Sequence, residues 1–332
     1  RFLFQPYSIP MPKRPETPSP KPKEHPSTEE QLAAQGYVTF SVEELEEGLR
    51  TGDTVFLGNP EEEAKRAREA EKRKRKDKES EPVEIFYRET KELFGEKGFL
   101  GIDEVERAFT LENGAKLIDL TPEERANLKE LLKDKLNEPD IKEFLTNIDK
   151  ETLQKDFLLI LRLPTFADGA PITMQALEDR LAPDMLAQGQ GKMFYEQEEP
   201  QKRWYIHPTL EDFYAKEVLP RAEWVIQTRT TVEGTKEKTH DQQTSILTAK
   251  ARIFHLDPSK IRRRTPLNIA YDCITSLRAT GARLLEGEYD LTDTTSSSGN
   301  FVRVGDAASA GALVDYWRPV GSSSALGASF SR

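Results

Sequence analysis

The sequence predicts an α+β protein, with an N-terminal tail and helical region followed by a C-terminal domain of strands and turns. Three observations carry this expectation. Between Ile85 and Leu153 apolar residues recur at helical spacing behind recognisable helix starts. Phe157 to Leu163 and Trp224 to Thr231 are runs of strand length dominated by apolar or β-branched residues. The last stretch, Thr294 to Arg332, has no Lys, Glu, Gln or Met in a chain whose charged fraction is 32%, yet it holds Phe301, Val302, Val304, Leu313, Val314, Tyr316, Trp317, Leu326 and Phe330. A low-complexity tail lacks such order-making residues, so this stretch is expected to fold.

Taken in order, residues 1–35 read as a Pro- and Lys-rich disordered tail, because Pro10 to Ser27 has almost no apolar side chains to offset ordering entropy. Met11 is expected as the true start. Residues 36–82 read as a small docking element, with a Ser41/Glu44 capping box, and a charged spacer helix opened by Asn59-Pro60. Within that helix the basic run Lys72 to Lys76 offers a contact for phosphates, but no aromatic residue is interleaved to stack on bases, so the spacer reading is preferred. Residues 83–156 are expected as a helical bundle, with Thr121-Pro122-Glu123-Glu124 as a capped start leading to Leu128, Leu131, Leu132 and Leu136.

A second domain is expected over residues 157–332. Phe157 to Leu163 would be a buried strand, Asp168-Gly169 a turn, and Thr173 the start of a helix. Lys192 to Tyr195 and Arg203 to Ile206 read as paired strands, and Trp224 to Thr231 as another. Glu233 to Gln243 is polar and reads as an exposed loop. Leu267 to Ala279 follows Thr265-Pro266 as a helix burying Ile269, Ile274 and Leu277. Val302 and Val304 alternate with Arg303 as a half-buried strand, and Leu313 to Tyr316 pairs beside it, with Gly305, Gly311, Gly321 and Gly327 at the turns.

The net charge of −10 argues against wholesale binding to nucleic acid or anionic membrane. Cys273 is the only cysteine, so no intrachain disulfide forms. The longest apolar run is strand-sized and no membrane span is expected. Arg1 to Pro10 has no signal-peptide pattern, and the cytoplasm is the default location. His25, His207, His240 and His255 are widely spaced, without a metal-binding pair. Asp103 and Glu104 lack the alternating acidic ligands of an EF-hand, and Asp290, Asp293, Asp306 and Asp315 form no compact calcium cluster. Neither a nucleophile elbow nor a phosphate-cradling glycine loop is present. No cofactor, no metal and no enzymatic activity are expected.

The composition of the window 294–332 is what a genetic process would leave if its codons began as AAY and only their adenines were randomised. Randomising the adenines of AAY codons yields only NNY codons, which cannot encode Lys, Glu, Gln, Met, Trp or a stop. Trp317 alone in the window falls outside that set. Together with Arg264-Thr265-Pro266, Ala270-Tyr271-Asp272, Thr280 to Leu285, Tyr289 to Thr292, Ser297 to Gly299, Val302 to Asp306, Gly311, Val314, Trp317-Arg318-Pro319, Leu326-Gly327 and Ser331-Arg332, it makes the chain resemble variable proteins targeted by diversity-generating retroelements. The version it resembles occurs in candidate-phyla bacteria, and the resemblance extends more weakly back to about Ile85.

That resemblance implies a C-type-lectin-like fold related to formylglycine-generating enzymes, with a rewritten binding face. It implies a variable ligand, a protein or cell-surface macromolecule, and not the oxidative chemistry, which needs a cysteine pair and copper. The ligand-facing positions expected are Asn300, Arg303, Asp306, Ala307, Ser309, Asp315, Tyr316, Arg318, Ser322, Ser323 and Ser324. The scaffold expected beneath them is Val302, Val304, Gly305, Gly311, Trp317, Leu326 and Gly327. Trp317, read as core, is expected to cost about 3–5 kcal/mol on truncation to alanine. A fixed interaction protein with the same fold is the alternative, and nucleic-acid binding through Lys72 to Lys76 a further one.

Overall fold

The computed structural model describes Lys65, Arg66, Arg68 and residues 82–194, 211–296, 299–308 and 311–332. The chain divides into two units, residues 1–76 and 77–332. Of the first, the three described residues are helical. The tail, the docking element, the run Lys72 to Lys76, Ser309 and the strand expected at Arg203 to Ile206 lie outside the described residues.

In the second unit, helix α1 (residues 82–94) leads to the short strand β1 (Phe99–Leu100) and α2 (Ile102–Ala108). Helices α3 (Pro122–Leu136), α4 (Pro139–Asn147) and α5 (Lys150–Asp156) follow, and then β2 (Phe157–Arg162). The Thr121 cap forms as the sequence predicts: its hydroxyl accepts from Glu124 N, while the Glu124 carboxylate accepts from Thr121 N. Strand β1 pairs parallel with β2, and β2 antiparallel with β3 (Glu223–Thr228). The helices of 83–156 therefore share a sheet with the chain beyond 157, and the boundary expected at 156/157 is no break in the packing.

All six β2 residues are buried. Helix α3 covers the β3 side of this sheet, where Trp224 Nε1 donates to Leu128 O at 2.8 Å. Helix α9 (Pro266–Thr280) covers it elsewhere, with Tyr271 donating to Leu161 O at 3.3 Å. Thr173 caps α6 (Met174–Ala187) as expected, and α7 (Glu211–Lys216) precedes β3.

The segment expected as a loop to Gln243 becomes helix α8 (His240–Ile253). Thr239 and Gln242 form a capping box, a signal present in the sequence, but the helix buries only Gln243, Leu247 and Ala251, too thin a stripe to read as periodic. Gln243 is fully buried because its amide donates to Thr235 O and Leu326 O.

A second sheet holds β4 (Tyr289–Thr295), β5 (Phe301–Ala308), β6 (Gly311–Trp317) and β7 (Leu326–Gly327) in the order β6-β5-β4-β7. Helix α9 packs against both sheets, which explains why its residues from Pro266 to Ser276 are buried with the single exception of Asn268. Beyond β7 the chain returns to the first sheet: Ile226 and Arg332 exchange backbone hydrogen bonds of 2.9 and 2.8 Å. No helix among the described residues is long and apolar enough to cross a membrane.

Arg332 fixes this return. Its Nε and Nη2 donate to Asp140 at 2.8 and 2.9 Å, and it also pairs with Glu138. The Arg332 hydrogen bonds hold the Asp140 carboxyl well below the usual carboxylate range. A depressed carboxyl stabilises the fold at pH values above its unfolded pKa, and that contribution is lost as pH falls toward the folded value. Asp140→Asn is therefore expected to lower stability at neutral pH by about 1–2 kcal/mol and to flatten the acid limb below about pH 4. Urea titrations at several pH values read both changes, and an unaltered acid limb would exclude the Asp140 contribution.

Candidate ligand-binding face

The β4–β5–β6 register decides which side chains share a face. Arg303 pairs with Asp315 and Leu291, Phe301 with Trp317, Gly305 with Leu313 and Tyr289. On this outer face Tyr289, Phe301, Arg303, Leu313, Asp315 and Trp317 are part-exposed, with Leu291 and Gly305 buried among them. Val302 pairs with Tyr316 and Val304 with Val314 and Asp290, forming the face turned to α9 and the core. Val302 and Val304 are fully buried, as their alternation predicts.

Two expected positions exchange roles. Tyr316 packs against the core, whereas Trp317 stands half-buried on the outer face. Neighbouring residues of a strand point to opposite faces, so Asp315 and Tyr316 cannot both serve one surface. Ala307 is buried too, within a small apolar cavity that includes Cys273, Ile274 and Met193. Burial pushes the Cys273 thiol up to about 12, which leaves it an inert core side chain.

Arg303 occupies the centre of the outer face. Its guanidinium lies 4.6 Å from the Tyr289 ring centre and 4.7 Å from that of Trp317, with the two rings on flanking strands at diagonal positions. Nη2 donates to Asp315 Oδ2 at 2.8 Å. Gly305 makes the arrangement possible: a Cβ there would lie 2.0 Å from Glu288 O and 2.6 Å from Tyr289 Cα. Gly327 is equally constrained, since a Cβ would meet the Thr231 side chain at 2.5 Å, and Leu326 beside it is fully buried. Gly311 opens β6 at φ 104°, a conformation that favours glycine. Asp306 adopts φ 50° and accepts from the Tyr289 hydroxyl at 3.3 Å.

The loop after β6 folds over Trp317. Gly321 N donates to Arg318 O, and a Cβ at Gly321 would come within 2.6 Å of Trp317 Nε1. Arg318, Ser322 and Ser324 are exposed on it, and Ser323 anchors it by accepting from Glu237 N at 3.0 Å. Val320 at the tip is 81% exposed, the most exposed large apolar side chain among the described residues. Val320 is not among the expected ligand-facing positions, although valine is NNY-compatible and lies in the same window. Asn300 closes the β4–β5 turn through its backbone, its carbonyl accepting from Ser296 N at 2.8 Å.

At the far edge of this face the His240 ring stacks on Phe301, 3.8 Å between centres, and its Nε2 lies 2.8 Å from Asp293 Oδ1. The His240 bond, ahead of burial and the Arg263 charge, keeps the Asp293 carboxyl below its usual range. Arg263 Nε lies 3.2 Å from the same oxygen. A cleft of about 500 Å³ opens beside them, lined by His240, Thr244, Ile261, Arg263, Asp293 and Phe301. Tyr289, Phe301 and His240 were absent from the expected site because they enter it through cross-strand pairing and through α8, neither of which is local in sequence.

His240 is engaged by carboxylates and an aromatic ring, and His255 by Glu143. Among the described residues no group of three or more His, Cys, Asp or Glu side chains could hold a metal ion. No protein-family model, curated protein or solved structure matches this chain.

Proposed function

We propose that this protein is a non-enzymatic ligand-binding protein that displays a diversified surface on a C-type-lectin-like scaffold. One observation carries the reading. The outer-face residues of β5 and β6 and the loop 318–324 are drawn entirely from the NNY set except Trp317, and Trp317 packs against the guanidinium at their centre. A fixed tryptophan platform with Ser, Asp, Arg and Val varying around it has the composition of a binding surface, in which rigid aromatics give contact area and small polar residues adapt. The ligand is then a protein or other macromolecule met by the face and the loop together.

Sequencing the locus and its flanks in many cells of the source population tests this. Differences confined to codons 298–331, matching adenines of a nearby near-copy and sparing Trp317, are expected. A window as invariant as the helical region would leave a fixed interaction protein instead. The same reading makes the loop tip energetically neutral: replacing Arg318, Val320, Ser322 and Ser324 together by alanine is expected to shift stability by no more than about 1 kcal/mol, as thermal unfolding would show.

A further inference from the structure

We infer that Arg303 forms a carboxylate-binding slot on the outer face, and that Asp315 is its internal occupant. The inference rests on the reading of this face as ligand-facing.

Three features define the slot. Tyr289 on β4 and Trp317 on β6 lie against the guanidinium from the two flanking strands, so a ligand approaches Arg303 between the rings. Its single hydrogen bond among the described residues is Nη2 to Asp315 Oδ2, and Nε is buried without a partner. A guanidinium has five N–H donors and pairs with a carboxylate through two of them, so most of its capacity is unused. The pair is also within reach of solvent, with 17% of the Arg303 side chain and 20% of the Asp315 side chain exposed.

The geometry selects the ligand chemistry. A planar carboxylate can pair in the plane of the guanidinium and so fits between the rings, whereas a tetrahedral phosphate extends out of that plane. The matching partner group is an Asp or Glu side chain, or a chain terminus, on a protein ligand. Asp315 sets the affinity in two ways: it competes for the donors, and its charge repels a second carboxylate. It is tied by a further bond, accepting from Tyr316 N at 2.7 Å, so it does not swing aside freely. Position 315 is NNY-compatible, and exchange of aspartate for serine or asparagine there opens the slot without altering the platform.

The test is a titration of the parent and of Asp315→Ser with propionate, which is the Glu side chain cut from its backbone, following by NMR the backbone amide resonances of β5 and β6, present in every variant. The Arg303 Nε–Hε resonance is followed with them where the arginine is kept, and is assigned by its loss in Arg303→Met. Propionate is expected to bind Asp315→Ser about tenfold more tightly than the parent, and Asp315→Ser/Arg303→Met to lose the gain. Asp315→Asn, close in shape to aspartate, is expected to show the same gain and covers the case in which the serine variant misfolds. No strengthening in either variant, or a gain that survives loss of Arg303, would overturn the slot. An equal gain for inorganic phosphate would overturn its carboxylate selectivity. These results are separate from those of the population sequencing: an invariant locus with a working slot removes diversification alone, and a varying locus without it removes the slot alone.

Discussion

Asp272→Ala is expected to lower the unfolding free energy by about 3–5 kcal/mol, the loss that follows when one partner of a buried ion pair is removed. Asp272 is fully buried on α9, and both its oxygens receive hydrogen bonds from Arg162, Nε at 3.0 Å and Nη2 at 2.8 Å. Arg162 ends β2 and is itself 1% exposed; Gln227 and Glu223 accept its remaining donors from β3. Arg264 approaches Asp272 to 3.6 Å and continues the network to Asp290 on β4 and Ser329, through Nε at 3.0 and 2.8 Å. Its Nη2 is 2.8 Å from Asp290 without hydrogen-bond alignment, so charge holds that contact. Two arginines and two aspartates thus join the first sheet, α9, the second sheet and the C-terminal segment.

Removing Asp272 leaves two buried cations with Asp290 as the one buried carboxylate and the part-exposed Glu223 beside Arg162. The asymmetry gives a sharper test than the single variant. Arg162→Met/Asp272→Leu removes both charges and leaves Arg264 with Asp290, so it is expected to recover at least half of the loss. Urea unfolding followed by circular dichroism measures both variants. A loss below about 1 kcal/mol for Asp272→Ala would show that water reaches the site and that the pair contributes as a surface pair does. Because Asp290 belongs to the strand next to β5, the network also holds the edge of the sheet that carries the proposed binding face.

Elements set by local chemistry were legible in the sequence. The Thr121 box, the Thr173 cap, the apolar run of β2 and the Thr265-Pro266 start of α9 each depend on residues within a turn or two of one another. The alternation of Val302, Arg303 and Val304 was legible for the same reason. What the sequence hid depends on distant partners. Arg162 ends a strand as an ion-pair residue only because α9, more than a hundred positions on, supplies Asp272. Gln243 is buried in a polar segment because Thr235 and Leu326 accept its amide protons. The faces of 316 and 317 follow from the pairing of β5 with β6, and a shift of one residue there reverses them.

That reversal changes which aromatic residue is expected to matter most for folding. Phe330→Ala is expected to cost about 3–5 kcal/mol, the usual loss for a fully buried phenylalanine, whereas Trp317→Ala is expected to cost about 1–2 kcal/mol. Phe330 is wholly buried and its ring lies 6.3 Å from Phe157, which in turn packs 5.0 Å from Phe144 and 5.1 Å from Phe254. Its carbonyl accepts from Thr228 N, so the same residue fixes the C-terminal segment to β3. Trp317 is half-buried and contributes mainly a ring face to Arg303, with its Nε1 unpartnered among the described residues. Under the proposed reading, the place of Trp317 in the window then reflects the platform it gives to Arg303, not the core. Urea unfolding of the two variants decides between these roles. If Trp317→Ala proved as damaging as Phe330→Ala, Trp317 would be a folding residue and the outer face would lose its centre. With the expected order, loss of Trp317 leaves a folded protein whose Arg303 side chain is freed from its slot, and the gain in propionate affinity on changing Asp315 disappears with it.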